Sequence, residues 1–384
     1  MLIALLAPFL FVTLAGVVLL YPTGELPTST VDSGMPVNGT VTAAALGGCA
    51  SPGEIDVETG EDTGDKKPKQ QCLVLDIELT DGPAAGTSIR KTEPVQATTP
   101  RFAAGDEIVL AFGGGESSNP DSYLIKDFQR GMPLLLLAGL FAVAVLLLGR
   151  WQGARALAGL LLSFAVLVLF ILPAILSGEN PLLVGILGAG LIMFATLYLT
   201  HGFSARTSVA VLGTMISLVL IGVISMVFSG LTRLTGLDEQ TSYLIVSLGH
   251  AIDARGLLLA GVVIGALGVL DDVTVTQASA VWELRKANPL LDWRELYAAA
   301  LRIGRDHVAS AVNTLVLAYA GAALPVLLYS SISGVGFGSI VGSQDIAQEI
   351  LRTLAGSIGI VAAVPVTTVL AALIVSRERI DEHV

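Results

Sequence analysis

Eight apolar runs of about 20 residues each decide what this chain can fold into. They fall at about 2–20, 131–149, 154–176, 181–200, 207–230, 256–280, 306–330 and 353–375. A helix needs about 20 residues to cross roughly 30 Å of hydrocarbon, and inside it every backbone polar group must be paired. Runs of this length therefore read as transmembrane helices. Composition agrees: 53% of the 384 residues are hydrophobic and 14% are charged, against about a quarter charged in soluble domains. The expected fold is an α-helical polytopic membrane protein, with the lipid bilayer as its first partner.

The formal net charge of −11 is unevenly placed. Residues 22–130 hold 17 acids against 8 Lys/Arg, and the remainder holds 15 against 13. The acidity thus belongs to one water-exposed segment. It excludes nucleic acid as a partner, because phosphates need a basic face. Basic residues also orient the helices. Arg150, Arg155, Arg206, Arg285, Lys286, Arg294, Arg302, Arg305, Arg377 and Arg379 fall in alternate links and the tail; the other short loops hold only Arg233, Arg255 and Arg352. The richer side is expected to be cytoplasmic, with both termini inside and residues 22–130 outside. The first run has no basic n-region and no A-x-A site before Tyr21 and Pro22, so it reads as an uncleaved anchor rather than a signal peptide.

Five regions follow. Residues 1–21 form the anchor helix, and 22–39 a linker rich in Pro, Thr, Ser and Gly. Residues 40–130 form an acidic, β-rich extracytoplasmic domain, 131–376 a seven-helix transmembrane domain, and 377–384 a cytoplasmic tail. Strands are expected at Thr40–Leu46, Cys72–Thr80, Ser88–Lys91, Ile108–Phe112 and Tyr123–Phe128. In the second, Leu73, Leu75, Ile77 and Leu79 alternate with mostly polar neighbours. Short strands with turns suggest a small barrel or sandwich, and Glu54–Lys69 reads as a disordered loop. Cys49 and Cys72 share the outer compartment, which permits a disulfide; two free thiols are the alternative. Two cysteines make no structural zinc site alone, so no metal or cofactor is expected.

The chemistry concentrates on one helix. Gly261, Gly265, Gly268, Asp272, Thr276, Ser279 and Glu283 are spaced by threes and fours, so all share one face. The glycines would let a neighbouring helix approach closely. A carboxylate in the bilayer costs roughly 2.5–3.5 kcal/mol on insertion scales, so Asp272 needs a partner or a function. The following span shows Asp306, Ser310 and Asn313 at helical spacing, with Thr314 adjacent. By helical rise, Asp272 and Asn313 sit at similar depth in the inner half of the bilayer. The sharpest expectation is a polar cluster between spans 256–280 and 306–330, built from Asp272, Asn313, Asp306, Thr276, Asp271 and Thr314. The alternative is polar side chains that only hold helices together. Asp271 lies about 100° round from Asp272 and faces elsewhere.

Smaller features complete the reading. Pro325 and Pro365 free backbone carbonyls inside helices, as kinks or hinges. Trp293–Tyr297 suggests an interfacial helix, and Asp253 with Arg255 a capping or orienting pair. Gly265-x-x-Gly268 before Val273–Thr276 is echoed by Gly356-x-x-Gly359 before Val364–Thr367, as an internal repeat or a coincidence of composition. Protease, P-loop and nucleophile-elbow motifs are absent, and the histidines at 201, 250, 307 and 383 are scattered, so no enzyme is expected.

Several strings together resemble the YibE/F family of bacterial multitransmembrane proteins. They are Gly261–Val273 with Ser279 and Glu283, Ile303–Asp306, Asn313–Gly321 with Leu324 and Pro325, and Glu349–Arg352 with Gly356–Gly359 and Pro365. Asp272, Asp306, Asn313 and Pro325 fall on that family's motif positions; Asp271 does not. The resemblance implies a multi-pass protein of the bacterial plasma membrane and leaves the substrate open. The leading expectation is a transporter or permease for an ion or small solute. The alternatives are a scaffold or sensor whose outer domain binds a protein partner, and a channel. A homo-oligomer is compatible with the glycine face.

Overall fold

A computed structural model describes residues 2–24, 26–27, 34–49, 71–248, 252–332, 334 and 336–377. The loop expected at Glu54–Lys69 and nearly all of the tail 377–384 lie outside the described residues. The chain divides into two compact units, one of residues 1–30 with 144–384 and one of residues 31–143.

The second unit carries one antiparallel sheet of β1 (Met35–Gly48), β2 (Gln71–Leu79), β3 (Ser88–Pro94), β4 (Glu107–Phe112) and β5 (Tyr123–Phe128), in the order β3-β2-β1-β4-β5. It is an open half-barrel rather than a closed barrel or two-sheet sandwich, with β3 and β5 as its edges. The expected alternation on β2 holds: Leu73, Leu75, Ile77 and Leu79 point into a core shared with Val37, Val41, Ile108, Leu110 and Tyr123. β1 starts at Met35, inside the expected linker. The pairing explains this: Met35–Thr40 lies along β4, whereas β2 joins only from Gly39 onward. Pro36 therefore sits where β1 has one neighbour, the place a strand tolerates a missing N–H. Cys49 and Cys72 are joined by a disulfide, Cα–Cα 5.0 Å.

The helices are α1 (Leu2–Leu20), α2 (Gly131–Val166), a π-helical stretch Leu167–Ile171, α3 (Leu172–Leu176), α4 (Pro181–His201), α5 (Ala205–Leu231), α6 (Glu239–Leu248), α7 (Ala254–Ala287), α8 (Trp293–Ala322), α9 (Leu324–Ile332), α10 (Phe337–Val341) and α11 (Gln344–Val375); all fall in the first unit except the residues of α2 before 144. Among the described residues, five helices are long and apolar enough to cross a membrane, or six if α8 and α9 count as one bent span. This differs from the eight expected runs in two places. The run at 2–20 forms a shorter apolar helix, and those at 131–149 and 154–176 fall in one 46-residue helical stretch. That stretch is two helices: Arg150 takes φ 48° and ψ −123°, and a Cβ on Gly153 would meet the Val145 carbonyl oxygen. Eight residues along a straight helix would separate those positions by about 12 Å.

α7 is the central helix, packed by α4, α5, α8 and α11. Its side chain Gln277, 3% exposed, donates to the Ala300 carbonyl of α8 (2.9 Å) and to Thr368 Oγ1 of α11 (2.7 Å). Thr274 Oγ1 lies 2.7 Å from Thr214 Oγ1 of α5. One polar layer thus pins α5, α7, α8 and α11 together. α1 docks on α4, with Gly16 against Leu187 and Thr13 against Gly190.

Two helix ends correct the sequence reading. The stretch expected to be an interfacial helix is the first turn and a half of α8, because Asp292 and Glu295 form a reciprocal capping box that starts the helix at Trp293. Asp253 and Arg255 do not pair. Asp253 caps α7 through the Gly256 amide (3.0 Å), while Arg255 donates to Ser229 Oγ and the Met226 carbonyl at the end of α5 (both 3.0 Å).

Candidate functional site

The two acids of α7 part ways because adjacent helical residues point about 100° apart. Asp271 is half-buried and Asp272 is exposed. Asp272 continues the open side of α7, where Gly261, Gly265, Gly268 and Thr276 are also exposed. The glycine face is therefore not the seam of a close helix pair within the described residues. It is approached closely at one point: a Cβ on Gly265 would meet the Tyr319 hydroxyl of α8, whereas a Cβ on Gly268 would meet nothing within 4 Å.

Nor does the expected cluster assemble. Asp306, Asn313 and Thr314 are exposed on α8, and no hydrogen bond or ion pair joins any of them to Asp272 or Thr276. Thr314 Oγ1 instead donates to the Ser310 carbonyl within its own helix (3.0 Å). The physical reason is helical phase. The inward face of α8 runs through Leu296, Ala300, Gly304 and Leu315. At about 100° per residue, Asp306 and Asn313 lie on the opposite side.

Asp271 belongs to a different place. It lines a cleft of about 710 Å³ between the second half of α2, α4 and α7. Asp271, Gln152, Ser163, Thr196, Thr200 and His201 are its polar walls, and Phe164, Leu167, Ile192, Met193, Ile264 and Leu267 are among its apolar ones. The register of α4 on α7 sets the depth of the acid. Gly256 lies against Pro181 and Gly185 against Ala260, so the two helices run parallel at a constant offset. About three turns further along each, that offset brings Asp271 level with Thr196. Gly159 of α2 closes the opposite wall, with the methyls of Thr200 and Thr196 3.5 and 3.7 Å from where its Cβ would stand.

Asp271 Oδ1 is buried and has no hydrogen-bond partner. Its backbone carbonyl accepts from Thr274 Oγ1 (3.2 Å), which ties the acid's position to the α5–α7 contact. An unpartnered buried carboxylate oxygen is costly, so the group is poised either to hold a proton or to receive a ligand. Among the described residues there is no group of three or more His, Cys, Asp or Glu that could hold a metal ion.

The prolines sit at different kinds of place. The chain bends by 60° between α8 and α9, at the break just before Pro325. Pro365 lies inside the continuous α11, where Thr368 Oγ1 donates to the Val364 carbonyl (2.6 Å). The echoed glycines also differ. Gly265 and Gly268 are exposed, whereas Gly356 and Gly359 are buried.

Sequence reasoning did not find Ser163, Thr196, Thr200 or Gln152, since isolated polar residues in apolar runs carry no spacing signal across helices. Glu349 and Arg352, which the sequence marks only as part of a family string, form a half-buried pair on α11. Arg352 Nη1 donates to Glu349 Oε1 (2.6 Å), and the guanidinium lies 5.8 Å from the centre of the Tyr319 ring.

The profile of the YibE/F-like protein family matches residues 137–377. The chain belongs to the YibE/F-like family. The matched span takes in the whole of the cleft and every helix packed on α7. Family membership and the apolar helices together fit a membrane protein. No curated protein and no solved structure matches the chain.

Proposed function

We propose that this YibE/F-like protein is a multi-pass transporter or permease of the bacterial plasma membrane, with Asp271 as the group that holds its ion or small solute. In this reading it is a carrier rather than an enzyme. Both termini face the cytoplasm and the β-rich unit faces outward, in keeping with the ten basic residues on one set of links.

The observation that carries the reading is the Asp271 carboxylate, one oxygen buried without a partner, on the wall of a cleft large enough for a small molecule. Ionisable residues in the interior of membrane helices mark substrate and ion pathways. A structural acid would be paired, and this one is not. The π-helical stretch Leu167–Ile171 on the facing wall is a local distortion of a kind frequent at functional sites.

The test is uptake into proteoliposomes of purified full-length protein, screened against alkali cations, protons and small organic solutes. The reading expects at least one to be taken up, and Asp271→Asn to abolish that uptake in a protein that still folds. Absence of uptake for every class, or uptake unchanged in Asp271→Asn, rejects it.

A further inference from the structure

The cleft has a chemical polarity of its own. Its hydroxyl protons are already committed. Ser163 Oγ donates to the Gly159 carbonyl (3.0 Å), Thr196 Oγ1 to that of Ile192 (2.8 Å) and Thr200 Oγ1 to that of Thr196 (2.7 Å). Each hydroxyl therefore offers only lone pairs to anything in the cleft. Asp271, once ionised, is also purely an acceptor. No Lys or Arg lines the space; Gln152 and His201 are the two lining groups able to donate, and His201 is the last residue of α4. A wall of acceptors around one acid disfavours anions and favours a positively charged donor.

Charge and size narrow the class further. One carboxylate balances one positive charge. A divalent cation instead takes roughly six to eight oxygens, several from carboxylates, and no such cluster exists among the described residues. A cleft of about 710 Å³ far exceeds a bare alkali ion and falls in the range of small-molecule sites, about 300–1,000 Å³. Its apolar wall includes the Phe164 ring, a face that attracts cations.

We propose that the cleft binds a small organic monocation, a protonated amine with an apolar body. The ammonium sits on Asp271 among the Thr196 and Ser163 oxygens, and the body lies against Phe164, Leu167 and Met193. The inference takes its site from the transport reading above and its ligand class from the lining alone.

The test is thermal unfolding of the purified full-length protein with benzylamine, benzyl alcohol, benzoate, or sodium or potassium chloride. Benzylamine alone should raise the unfolding midpoint, since a ligand of the folded form stabilises it. The shift should persist in Asp272→Asn. In Asp271→Asn binding should weaken by about tenfold or more, the equivalent of one charge-assisted hydrogen bond. Ser163→Phe, which fills the cleft and keeps the acid, should also remove the shift, and it serves if Asp271→Asn does not fold. No shift with benzylamine, an equal shift with benzyl alcohol, or a shift undiminished in both cleft variants overturns the proposal. Flux separates the two claims. Asp271-dependent uptake of an alkali ion or proton without amine binding overturns the organic ligand and leaves transport standing. Amine binding without any uptake supports the ligand class and rejects transport.

Discussion

At the scale of single residues, neighbouring positions in sequence do unrelated work. Asp272 stands out in the sequence because it extends a glycine stripe, yet Asp271 is the acid that enters a cleft. A 100° step separates a half-buried acid from an exposed one, and no pattern in one apolar helix reveals which side its neighbours cover. Gln277, which lies off the glycine stripe, bridges three helices. Gln277→Leu removes both bonds and should cost about 1–3 kcal/mol, given roughly 0.6–1.7 kcal/mol for interhelical hydrogen bonds in membranes. Unfolding in mixed micelles measures it. In the β-rich unit the Arg90 guanidinium, bonded to Asp76 through both oxygens (2.6 and 2.9 Å), holds that carboxyl below its usual range. A lowered folded value means that the pair stabilises the sheet above the unfolded pKa of about 3.9, and that this is lost as pH falls through the folded value. Asp76→Asn should therefore speed amide exchange along β2 and β3 at pH 7, by a small factor because the pair is exposed. The effect should shrink as pH falls through the lowered folded value of Asp76 and the wild-type carboxyl takes up its proton.

Elements were legible to different degrees, and packing explains why. The strand β2 could be placed from its alternation, since one face is core and the other is not. The sheet order could not, because β1 lies between β2 and β4 through contacts far apart in sequence. Apolar runs located α4, α5, α7 and α11. They do not reveal which side of α8 is covered, because its inward face runs through the small residues Ala300 and Gly304 as well as Leu296 and Leu315, and Asp306 and Asn313 lie on the other side. The glycine stripe shows the same limit, because spacing reveals a shared face but not what covers it. Two substitutions separate a packing glycine from an open one. A Cβ on Gly185 would stand 2.9 Å from the Ala260 Cβ and 3.1 Å from its Cα, so Gly185→Ala should force α4 from α7 at a cost of about 1–3 kcal/mol. Gly268→Ala meets nothing within 4 Å and should leave stability unchanged or slightly raised, as a helical Gly gains from a methyl. Melting of the two variants side by side reads the difference. A large loss in Gly268→Ala would mean that a partner outside this chain covers the stripe.

The whole molecule comprises a helical unit built round α7 and a β-rich unit held by its own core. Apolar run length made the membrane class legible, because the bilayer imposes it directly. The cleft was not legible, because it exists only where α2, α4 and α7 come together. The central claim is that this cleft, through Asp271 and not Asp272, is where the molecule holds what it carries. The most direct measurement is solute-driven current or uptake in proteoliposomes containing wild-type, Asp271→Asn or Asp272→Asn protein at matched density. The account predicts activity in wild type, loss in Asp271→Asn and retention in Asp272→Asn. Loss in Asp272→Asn with activity kept in Asp271→Asn would contradict it and return the site to the open face of α7.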